Sequence, residues 1–213
     1  MRLVLIRHGA SSHAARSIIA DVAGCQGLTE HGQAQALALA ERLRATGELH
    51  DCSVLLCSPV ARARQTAELL AGGLPVATIT IDDELRELHP GAADGLTWAE
   101  YRTRYGEFDP QAAPTRPFAP GGESWDQFLV RVQTAHQRLA DQFAEQTVVA
   151  VSHAGFIVAS LFLLFQVPWW GRQASLEPTP TALTEWQVSG SQWRLVRYND
   201  AGHLAASPHE HGG

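Results

Sequence analysis

Residues 3–9 read Leu-Val-Leu-Ile-Arg-His-Gly, and the interpretation of the whole chain starts from this stretch. Its four apolar residues predict a short strand that is buried on both faces. The run is far too short for the apolar part of a signal peptide or for a membrane span. The strand therefore delivers Arg7 and His8 to one edge of a sheet, which is where ligands bind in open α/β sheets.

Further apolar runs predict that this strand is part of a larger sheet. Residues 54–57, 78–81 and 147–152 are strand-like, and helical stretches separate most of these runs. The alternation predicts an α/β fold, specifically a three-layer α/β/α sandwich with a mostly parallel sheet. Two final strand candidates, residues 182–188 and 193–198, are separated by a short polar segment and predict a hairpin. We therefore expect an antiparallel strand at one edge of the sheet.

Helix signals occupy the segments between the strands. An alanine-rich and leucine-rich stretch predicts a helix from Thr29 to about residue 45, ended near Gly47. Ser58 and Pro59 fit the N-cap and the first residue of a helix that reaches about residue 71. Two capping boxes and one long apolar run predict three more helices, which begin near Thr97, Ser124 and Phe156.

The composition argues against several classes of function. The chain has 213 residues, 45% hydrophobic and 18% charged, with a formal net charge of -6, which is ordinary for a globular protein. The acidic balance argues against nucleic acid or an anionic membrane as a partner, because such binders usually have a basic surplus. The three cysteines are odd in number and lack metal-site spacing: Cys25, Cys52 and Cys57. We expect reduced thiols in a cytoplasmic protein.

Reactive residues follow three of the predicted strands. The first strand leads to Arg7 and His8, the run at 54–57 leads to Arg62 and Arg64, and the run at 147–152 leads to His153. Because the carboxyl ends of parallel strands meet at one edge of the sheet, we expect these side chains to converge. Arginine binds two phosphate oxygens through its planar fork, and neutral imidazole has a lone pair that can attack phosphorus. The pattern predicts a site for a phosphate anion, assisted by amides at helix starts.

A series of segments, in order along the chain, resembles the motifs of the histidine phosphatase superfamily, the phosphoglycerate mutase-like proteins. The Arg7-His8-Gly9 triplet resembles the signature at the end of that family's first strand. The other segments are residues 27–36 (GLTEHGQAQA, with one spacing irregularity), 58–67 (SPVARARQTA), 85–95 (LRELHPGAADG), 121–124 (GGES), 152–155 (SHAG) and 198–204 (YNDAGHL). The bare triplet is a weak signal, but the ordered series covers most of the chain. The resemblance implies the superfamily's fold and its phosphoryl-transfer chemistry.

The resemblance also implies roles for individual residues. His8 would be the nucleophile that forms a phosphohistidine, and Glu87 would be the general acid and then the general base. The residues implied to surround the phosphoryl group are Arg7, Arg62, His153 and Ala154. Arg64 and Glu84 compete with Arg62 and Glu87 by proximity in the sequence, but the motif register favours Arg62 and Glu87.

The acceptor of the phosphoryl group separates a phosphatase from a mutase. An ungapped match places Ala14 where mutases have an asparagine and Pro90 where they have a tyrosine, and the adjacent arginine pair of mutases is missing. These departures favour water as the acceptor. We therefore expect a phosphomonoester hydrolase, with cofactor-dependent phosphoglycerate mutase activity as the alternative. Ser11 or His13 is expected to bind the phosphate in place of the missing asparagine.

The expected organisation is a single histidine phosphatase domain over residues 1–206, with a cap insertion at about 97–121 and a disordered tail at 207–213. The cap segment, residues 97–121, contains five aromatic side chains: Trp98, Tyr101, Tyr105, Phe108 and Phe118. Two interpretations are open, because these side chains either line a pocket for an apolar phosphate ester or pack the cap onto the sheet.

The expected substrate is a small phosphate ester, with no cofactor, metal ion, nucleic acid or membrane as a partner. Ten histidines raise a metal-dependent hydrolase as a competing class, but neither an HExxH pattern nor an Asp-rich cluster is present. A Rossmann-type nucleotide-binding module would need a GxGxxG after the first strand, which this chain lacks. A homodimer is left open, and Trp169 and Trp170 are either packing residues or an interface patch.

Overall fold

Six strands form one sheet in this computed structural model, which describes residues 1–76, 78–168 and 175–205. They are β1 (Arg2–Arg7), β2 (Cys52–Cys57), β3 (Ile79–Ile81), β4 (Thr147–Ser152), β5 (Leu183–Ser189) and β6 (Gln192–Asp200). Their order across the sheet is β3-β2-β4-β1-β5-β6. Strands β1 to β4 are parallel, β5 is antiparallel to β1, and β6 is antiparallel to β5. The predicted mostly parallel sheet with an antiparallel edge is confirmed.

The register of the central parallel strands brings their carboxyl ends to the same level. Arg7, the last residue of β1, pairs with Ser152, the last residue of β4. Cys57, the last residue of β2, pairs with Val151 of β4. The three segments that follow these strands therefore leave the sheet side by side, as the sequence predicts.

Six α-helices occur in the described ranges. They are α1 (Ser12–Ala15), α2 (Glu30–Thr46), α3 (Ala61–Ala71), α4 (Trp98–Tyr105), α5 (Trp125–Gln142) and α6 (Ala154–Phe165), and short 3₁₀ turns lie at Asp83–Leu85, Gly91–Ala93 and Gly202–Leu204. The hydroxyl of Thr29 caps α2 by accepting a hydrogen bond from the amide of Gly32, and Gly47 ends the helix with a φ of 63°. Both predicted capping boxes, at the starts of α4 and α5, are present.

The predicted start of α3 is wrong. The helix begins at Ala61 with Val60 as its N-cap residue, and no side chain caps it. The hydroxyl of Ser58 lies 2.8 Å from Nε2 of His153 and accepts only a long 3.4 Å hydrogen bond from the amide of Val60. A tertiary partner from another strand end has overridden the local capping preference of serine.

The alternation of side chains along β1 builds a core on each face of the sheet. Leu3 and Leu5 belong to a cluster that includes apolar residues of α5 and α6. Val4 and Ile6 belong to a second cluster, with residues of α2 and α3. All four side chains are fully buried, and each such burial stabilises the fold by about 1.5–3 kcal/mol. Because successive side chains of a strand point to opposite faces, the two clusters confirm the predicted three-layer arrangement.

A third, smaller cluster joins the cap segment to loops that precede it. Tyr101 and Phe118 from the cap segment pack with Ile19 and Ala93. The amide of Ile19 donates a 2.8 Å hydrogen bond to the carbonyl oxygen of Leu96. The cap segment is therefore fixed to the chain that follows the first strand.

Two predictions fall outside the described residues. They are the disordered tail at residues 207–213 and the aromatic pair Trp169 and Trp170. The apolar run near Phe156 does form the predicted helix, α6, half of whose residues are buried. Of the helices in the described ranges, none has the length and apolar character that a membrane crossing requires.

Candidate active site

The chain turns immediately after β1, and close backbone contacts fix this turn. The amide of Gly9 donates a 3.1 Å hydrogen bond to Oγ1 of Thr66. A Cβ atom on Gly9 would lie 2.5 Å from the carbonyl oxygen of Gly32, and a Cβ atom on Gly32 would overlap the carbonyl oxygen of Ala10. Both positions require glycine because two backbone segments cross here. The crossing fixes the point from which the His8 side chain extends.

The two ring nitrogens of His8 have different partners. Nδ1 lies 2.7 Å from the carbonyl oxygen of Gly9, and because this oxygen can only accept, we assign the ring proton to Nδ1. Nε2 accepts a 3.0 Å hydrogen bond from Nε of Arg62. Burial, and then the positive charge of Arg62, lower the pKa of His8 well below 6.5. His8 is therefore neutral near pH 7, and its lone pair is on Nε2.

Arg62, on α3, connects His8 to the second histidine of the site. Its Nη2 lies 3.1 Å from Nδ1 of His153, and its Nη1 donates a 2.8 Å hydrogen bond to the carbonyl oxygen of Ala20. Because a guanidinium only donates, Nδ1 of His153 accepts, and its Nε2 faces the hydroxyl of Ser58 at 2.8 Å. The two imidazole centroids are 5.1 Å apart. Burial and the charge of Arg62 also lower the pKa of His153 well below 6.5, so both histidines are neutral.

Arg7 is held against the segment that precedes β5. Its Nη1 donates to the carbonyl oxygen of Pro178, and the carboxylate of Glu177 lies 4.0 Å away. Its Nε is buried and has no hydrogen-bond partner in the described part of the chain. The charge of Arg7 contributes to the lowered pKa of His8. A bound anion could therefore use a donor of Arg7 that the protein leaves unsatisfied.

The C-terminal motif residues Asn199 and His203 hold the same segment in place. Oδ1 of Asn199 accepts a 2.6 Å hydrogen bond from the amide of Thr179. Nε2 of His203 lies 2.8 Å from Oγ1 of Thr181, and the amide of Thr181 donates to the carbonyl oxygen of Arg7 at 2.9 Å. This motif therefore positions the chain around Arg7 and provides no group to the site itself.

Glu87 lies at the amino end of α6. Its Oε2 accepts a 2.8 Å hydrogen bond from the amide of Gly155, and its Oε1 accepts a 3.1 Å hydrogen bond from the amide of Leu88. The first-turn amides of a helix favour a nearby negative charge. A Cβ atom on Gly155 would overlap Oε1 of Glu87. The carboxyl group therefore reaches this helix end only because residue 155 is glycine.

The loop that carries Glu87 is anchored by Arg131 of α5. The guanidinium donates to the carbonyl oxygens of Glu84, Arg86 and Glu87, at 2.6, 3.1 and 3.0 Å. It also forms a two-pronged ion pair with Glu123, with both distances 2.7 Å. Arg131 thus satisfies three carbonyl groups along the segment that runs from the 3₁₀ turn at Asp83–Leu85 to Glu87. Sequence reasoning missed this residue.

The structure separates the residues that competed by sequence proximity. Arg62 is buried in the site, whereas Arg64 is exposed on α3. The carboxylate of Glu84 accepts a 2.7 Å hydrogen bond from Arg138, whereas Glu87 faces the start of α6. Both choices agree with the motif register.

A cavity of about 470 Å³ is lined by Arg62 and Glu87 at one end. His13 also lines it, and burial together with the charges of Arg62 and Arg7 lowers the pKa of His13 to about 4. Ala14 and Pro90, the positions at which the sequence departs from mutases, are both part of the wall. The cavity is therefore the space in which a substrate would extend from the phosphoryl site.

Some of the remaining predicted residues lie at the site or line the cavity, and others do not. Ala154 is the first residue of α6 and directly follows His153. Ser11 is buried, and its hydroxyl has no partner among the residues described, but it is not part of the cavity wall.

Trp98 and Phe118 line the cavity, while the other cap aromatics, Tyr101, Tyr105 and Phe108, pack against each other and against Phe118. Two of the five cap aromatics therefore line the cavity, and the other three belong to the small cluster with Ile19 and Ala93, which contains no strand residue. The expectation that they pack the cap onto the sheet is wrong, and the kind of ester that the cavity accepts stays a prediction.

Sequence reasoning missed three further positioning residues. Ser58 contacts His153, Thr66 holds the turn after β1, and Gly155 admits Glu87. All three lie inside segments that resemble the family motifs. Their place in a motif was the one sequence signal that could have identified them. Within the described ranges, no group of three or more histidine, cysteine or acidic side chains could hold a metal ion.

The fold and the site together define a class of protein, the α/β proteins in which histidine and arginine side chains meet at the carboxyl end of a mostly parallel sheet. The family model of the histidine phosphatase superfamily, branch 1, matches residues 3–201. The chain belongs to the histidine phosphatase superfamily, and the resemblance found in its motifs is confirmed.

Three similar proteins show the range of the family. A bifunctional protein of Mycobacterium tuberculosis is 35% identical over 153 residues, which is 71% of this chain, and the match spans 41% of that protein's length. A metal-independent phosphoserine phosphatase of Arabidopsis thaliana is 28% identical over 210 residues, covering 96% of this chain and 83% of the relative. The structure of a mycobacterial glucosyl-3-phosphoglycerate phosphatase has a TM-score of 0.74 at 27% identity, covering 93% of this chain and 98% of the other.

Proposed function

We propose that the protein is a phosphomonoester hydrolase that works through a phosphohistidine at His8. The observation that carries the proposal is the state of His8, which is buried and neutral, with its lone pair on Nε2 and Nε of Arg62 3.0 Å away. Glu87 lines the same cavity as Arg62. A neutral imidazole next to a guanidinium is a competent nucleophile towards phosphorus near pH 7.

Binding of the phosphoryl group would use donors around His8. Arg7 has an unsatisfied Nε, and the Arg62 groups that now contact His8 and His153 would turn to phosphate oxygens. The two negative charges of the phosphate favour protonation of His153, which would then donate from Nδ1. The amide of Ala154 and the hydroxyl of Ser11 are further proposed donors. These charges stabilise the transferring group, as a metal ion does in other phosphoryl-transfer enzymes.

The first step transfers the phosphoryl group to the enzyme. The Nε2 lone pair of His8 attacks phosphorus, so a nitrogen–phosphorus bond forms while the bond between phosphorus and the ester oxygen breaks. The protonated carboxyl group of Glu87 gives its proton to the departing oxygen, which leaves as an alcohol.

The second step returns the enzyme to its starting state. The carboxylate of Glu87 takes a proton from water as the water oxygen attacks phosphorus. The nitrogen–phosphorus bond breaks, its electron pair returns to Nε2 of His8, and inorganic phosphate leaves. Glu87 is then protonated and ready for the next ester.

Water is the proposed acceptor because the cavity offers little to orient a second phosphorylated molecule. Ala14 and Pro90 form part of its wall, and neither side chain donates a hydrogen bond. The names of the Arabidopsis relative and of the mycobacterial structure, both phosphatases, agree with this proposal. Mutase activity is the alternative outcome of the experiment below.

The remaining features are also proposals. We propose that residues 1–206 form one domain with its cap at 97–121, and that the protein acts in the cytoplasm without a cofactor or metal ion. Its partner would be a small phosphate ester, with neither nucleic acid nor a membrane involved, and a homodimer is compatible with this chemistry. Incubation with EDTA should leave turnover unchanged; strong loss of activity would contradict the metal-independent mechanism.

The central test is turnover of p-nitrophenyl phosphate by wild type and by His8→Ala. We expect His8→Ala to lower kcat by at least ~10³-fold, because removal of a covalent nucleophile abolishes the two-step route. A matched control is His50→Ala, which removes an exposed imidazole and should keep full activity. Rapid-quench detection of acid-labile phosphate on wild type, but not on His8→Ala, would identify the intermediate.

Two outcomes would change the proposal. Unchanged kcat in His8→Ala would refute the mechanism. Incubation with 3-phosphoglycerate, with and without bisphosphoglycerate, separates the two acceptors. We expect release of inorganic phosphate from any phosphoglycerate that reacts, and formation of 2-phosphoglycerate would establish the mutase alternative.

A further inference from the structure

The wall of the cavity combines a few ionisable side chains with a larger apolar part. The ionisable ones are Arg62, which contacts His8, together with Glu87 and His13, and the lowered pKa of His13, about 4, makes that imidazole neutral near pH 7. The rest of the wall is mainly apolar, and its larger side chains are Ile18, Ile19, Leu88, Pro90, Trp98 and Phe118. The alcohol part of a phosphate ester bound at His8 would therefore meet hydrocarbon and aromatic surface.

The two parts of the apolar wall, the cap segment and the loop after β1, are joined through their backbones. The amide of Trp98 donates a 3.1 Å hydrogen bond to the carbonyl oxygen of Ser17. Phe118 stacks on Tyr101 with ring centroids 4.4 Å apart, and the hydroxyl of Tyr101 donates to the carbonyl oxygen of Phe118 at 2.7 Å. Trp98 meets Phe118 edge to face at 5.8 Å and is 41% exposed. Trp98 therefore has an uncovered face that a ligand can bury.

Cations that could bind a second negative group are absent from this wall within the described residues. The chain contains no lysine, so arginine is its only permanently charged basic side chain. Near the cap, Arg86 pairs with Asp83 at 2.8 Å, and Arg116 donates to backbone carbonyl oxygens. Arg102 pairs with Glu107 at 3.2 Å. Arg16 donates to the neutral side chain of Gln26 at 2.9 Å and is exposed, as is Arg104 of the cap. Among the described residues, Arg62 is the one arginine that lines the cavity.

We infer that the preferred substrates, given the phosphatase activity proposed above, are monoesters of an uncharged aryl or apolar alkyl alcohol, with Trp98 and Phe118 as the residues that determine this preference. Burial of apolar surface favours such an alcohol. A carboxylate in the same place would lose its hydration without gaining a cationic partner, and it would lie near the carboxyl group of Glu87. Esters of the phosphoglycerate and phosphoserine type are therefore poor substrates for this chain.

The test compares esters whose leaving groups are of similar acidity but different charge. We expect kcat/KM for 1-naphthyl phosphate and phenyl phosphate to exceed that for 3-carboxyphenyl phosphate by at least tenfold. Trp98→Ala should reduce the ratio of 1-naphthyl to phenyl turnover several-fold. Trp98→Arg should raise kcat/KM for 3-carboxyphenyl phosphate, whereas Leu37→Arg, which adds the same charge at an exposed site on α2, should not.

Failure of this inference is distinguishable from failure of the proposed function. Equal kcat/KM for phenyl and 3-carboxyphenyl phosphate, with turnover that still requires His8, overturns the apolar preference alone. No turnover of any ester overturns the phosphatase proposal. Calorimetric binding of 1-naphthyl phosphate and 3-carboxyphenyl phosphate to His8→Ala then measures the selectivity of the cavity directly, and equal affinities would overturn the inference there as well.

Discussion

At the scale of single residues, the reactivity of His8 depends on the partner of each ring nitrogen. In water, half of the imidazole groups are protonated at about pH 6.5, and the protonated form has no free lone pair. Here the carbonyl oxygen of Gly9 fixes the proton on Nδ1, while burial and Arg62 lower the pKa of His8. In the proposed mechanism His8 is therefore ready to attack before a substrate arrives, and no base has to remove a proton from Nε2.

Gly155 gives the sharpest prediction at this scale. Gly155→Ala should push the carboxyl group of Glu87 away from α6, because the added Cβ would overlap Oε1. Since general acid catalysis contributes about 10²–10⁴-fold, we expect kcat to fall by about 10- to 100-fold for alkyl phosphates. For p-nitrophenyl phosphate, whose leaving group needs no proton, the loss should be small. Steady-state kinetics across a series of leaving groups measures the difference.

The matched control for this prediction is Gly72→Ala. Gly72 ends α3 in a right-handed helical conformation, and the nearest atom to an added Cβ is 3.9 Å away. The control should therefore keep wild-type kinetics for every ester. An equal loss for good and poor leaving groups in Gly155→Ala would contradict the position assigned to Glu87.

At the scale of elements, α5 has two separate tasks. One face buries Phe128, Val132 and Leu139 in the core on one side of the sheet. Another position, Arg131, holds the loop that carries Glu87. The helix therefore links the core to the segment that carries Glu87. The placement of this proposed general acid depends on a residue that does not line the cavity.

Arg131→Lys tests this positioning role. Lysine keeps the charge but cannot reproduce the planar fork that binds Glu123 and three carbonyl groups. We expect kcat for alkyl phosphates to fall about tenfold with KM little changed, and unfolding free energy to fall by about 1–3 kcal/mol because carbonyl groups lose their partners. If Arg131 positions Glu87, kcat of Arg131→Lys should depend more steeply on leaving-group acidity than kcat of wild type.

Arg138→Lys provides the control on the same helix. Arg138 pairs with Asp82 and Glu84 and is 35% exposed, and it does not contact the carbonyl group of Glu87. The Arg138→Lys variant should therefore show nearly the same dependence of kcat on leaving-group acidity as wild type. If Arg131→Lys lowered kcat by the same factor for every ester, its role would be structural and the positioning role would be wrong.

At the scale of the whole molecule, charge is distributed unequally between the antiparallel edge of the sheet and the candidate site. Beside β5, β6 and the start of β1, three arginines form ion pairs with four acidic residues: Arg2, Arg42 and Arg197 with Glu48, Asp51, Glu185 and Asp200. At the carboxyl end, Arg62 contacts histidines and a carbonyl oxygen. An acidic chain thus keeps a local positive charge where an anion binds, and this sorting depends on the complete fold.

Acid sensitivity is a prediction at the same scale, because the fold buries several neutral histidines. His136 stacks on Phe156 in the core, and burial lowers its pKa from 6.5 to about 4. Between these values the unfolded chain binds the proton and the folded chain does not, so stability is lost as pH falls from 6.5 towards 4. At pH 4, His136 alone accounts for a loss of about 3 kcal/mol in the free energy of unfolding.

His136→Leu should reduce this loss by a similar amount, as measured by urea unfolding at pH 7 and pH 4. The exposed His50→Leu serves as the control and should unfold like wild type at both values. If both variants lost the same stability between pH 7 and pH 4, the buried imidazole of His136 would not be a source of acid sensitivity. The buried His8 and His153 act in the same direction in every variant.

The sequence by itself determined the α/β class, most helix boundaries and the strand ends at which the candidate site residues lie. Strand and helix periods are local, so the run at residues 3–6 and the caps of Thr29, Thr97 and Ser124 could be recognised without knowledge of their partners. The convergence of His8 with the second histidine followed from the rule that parallel strands end at one edge.

Only the tertiary structure decided the contacts between distant parts of the chain. Ser58 and His153 are 95 positions apart, and Arg131 meets the carbonyl group of Glu87 across 44 positions. A capping preference is worth about 1 kcal/mol, so a buried tertiary hydrogen bond of similar size can override it, as at Ser58. The division of the cap aromatics into cavity wall and packing was likewise decided by tertiary packing, because local sequence specifies a residue's type but not its neighbours across the fold.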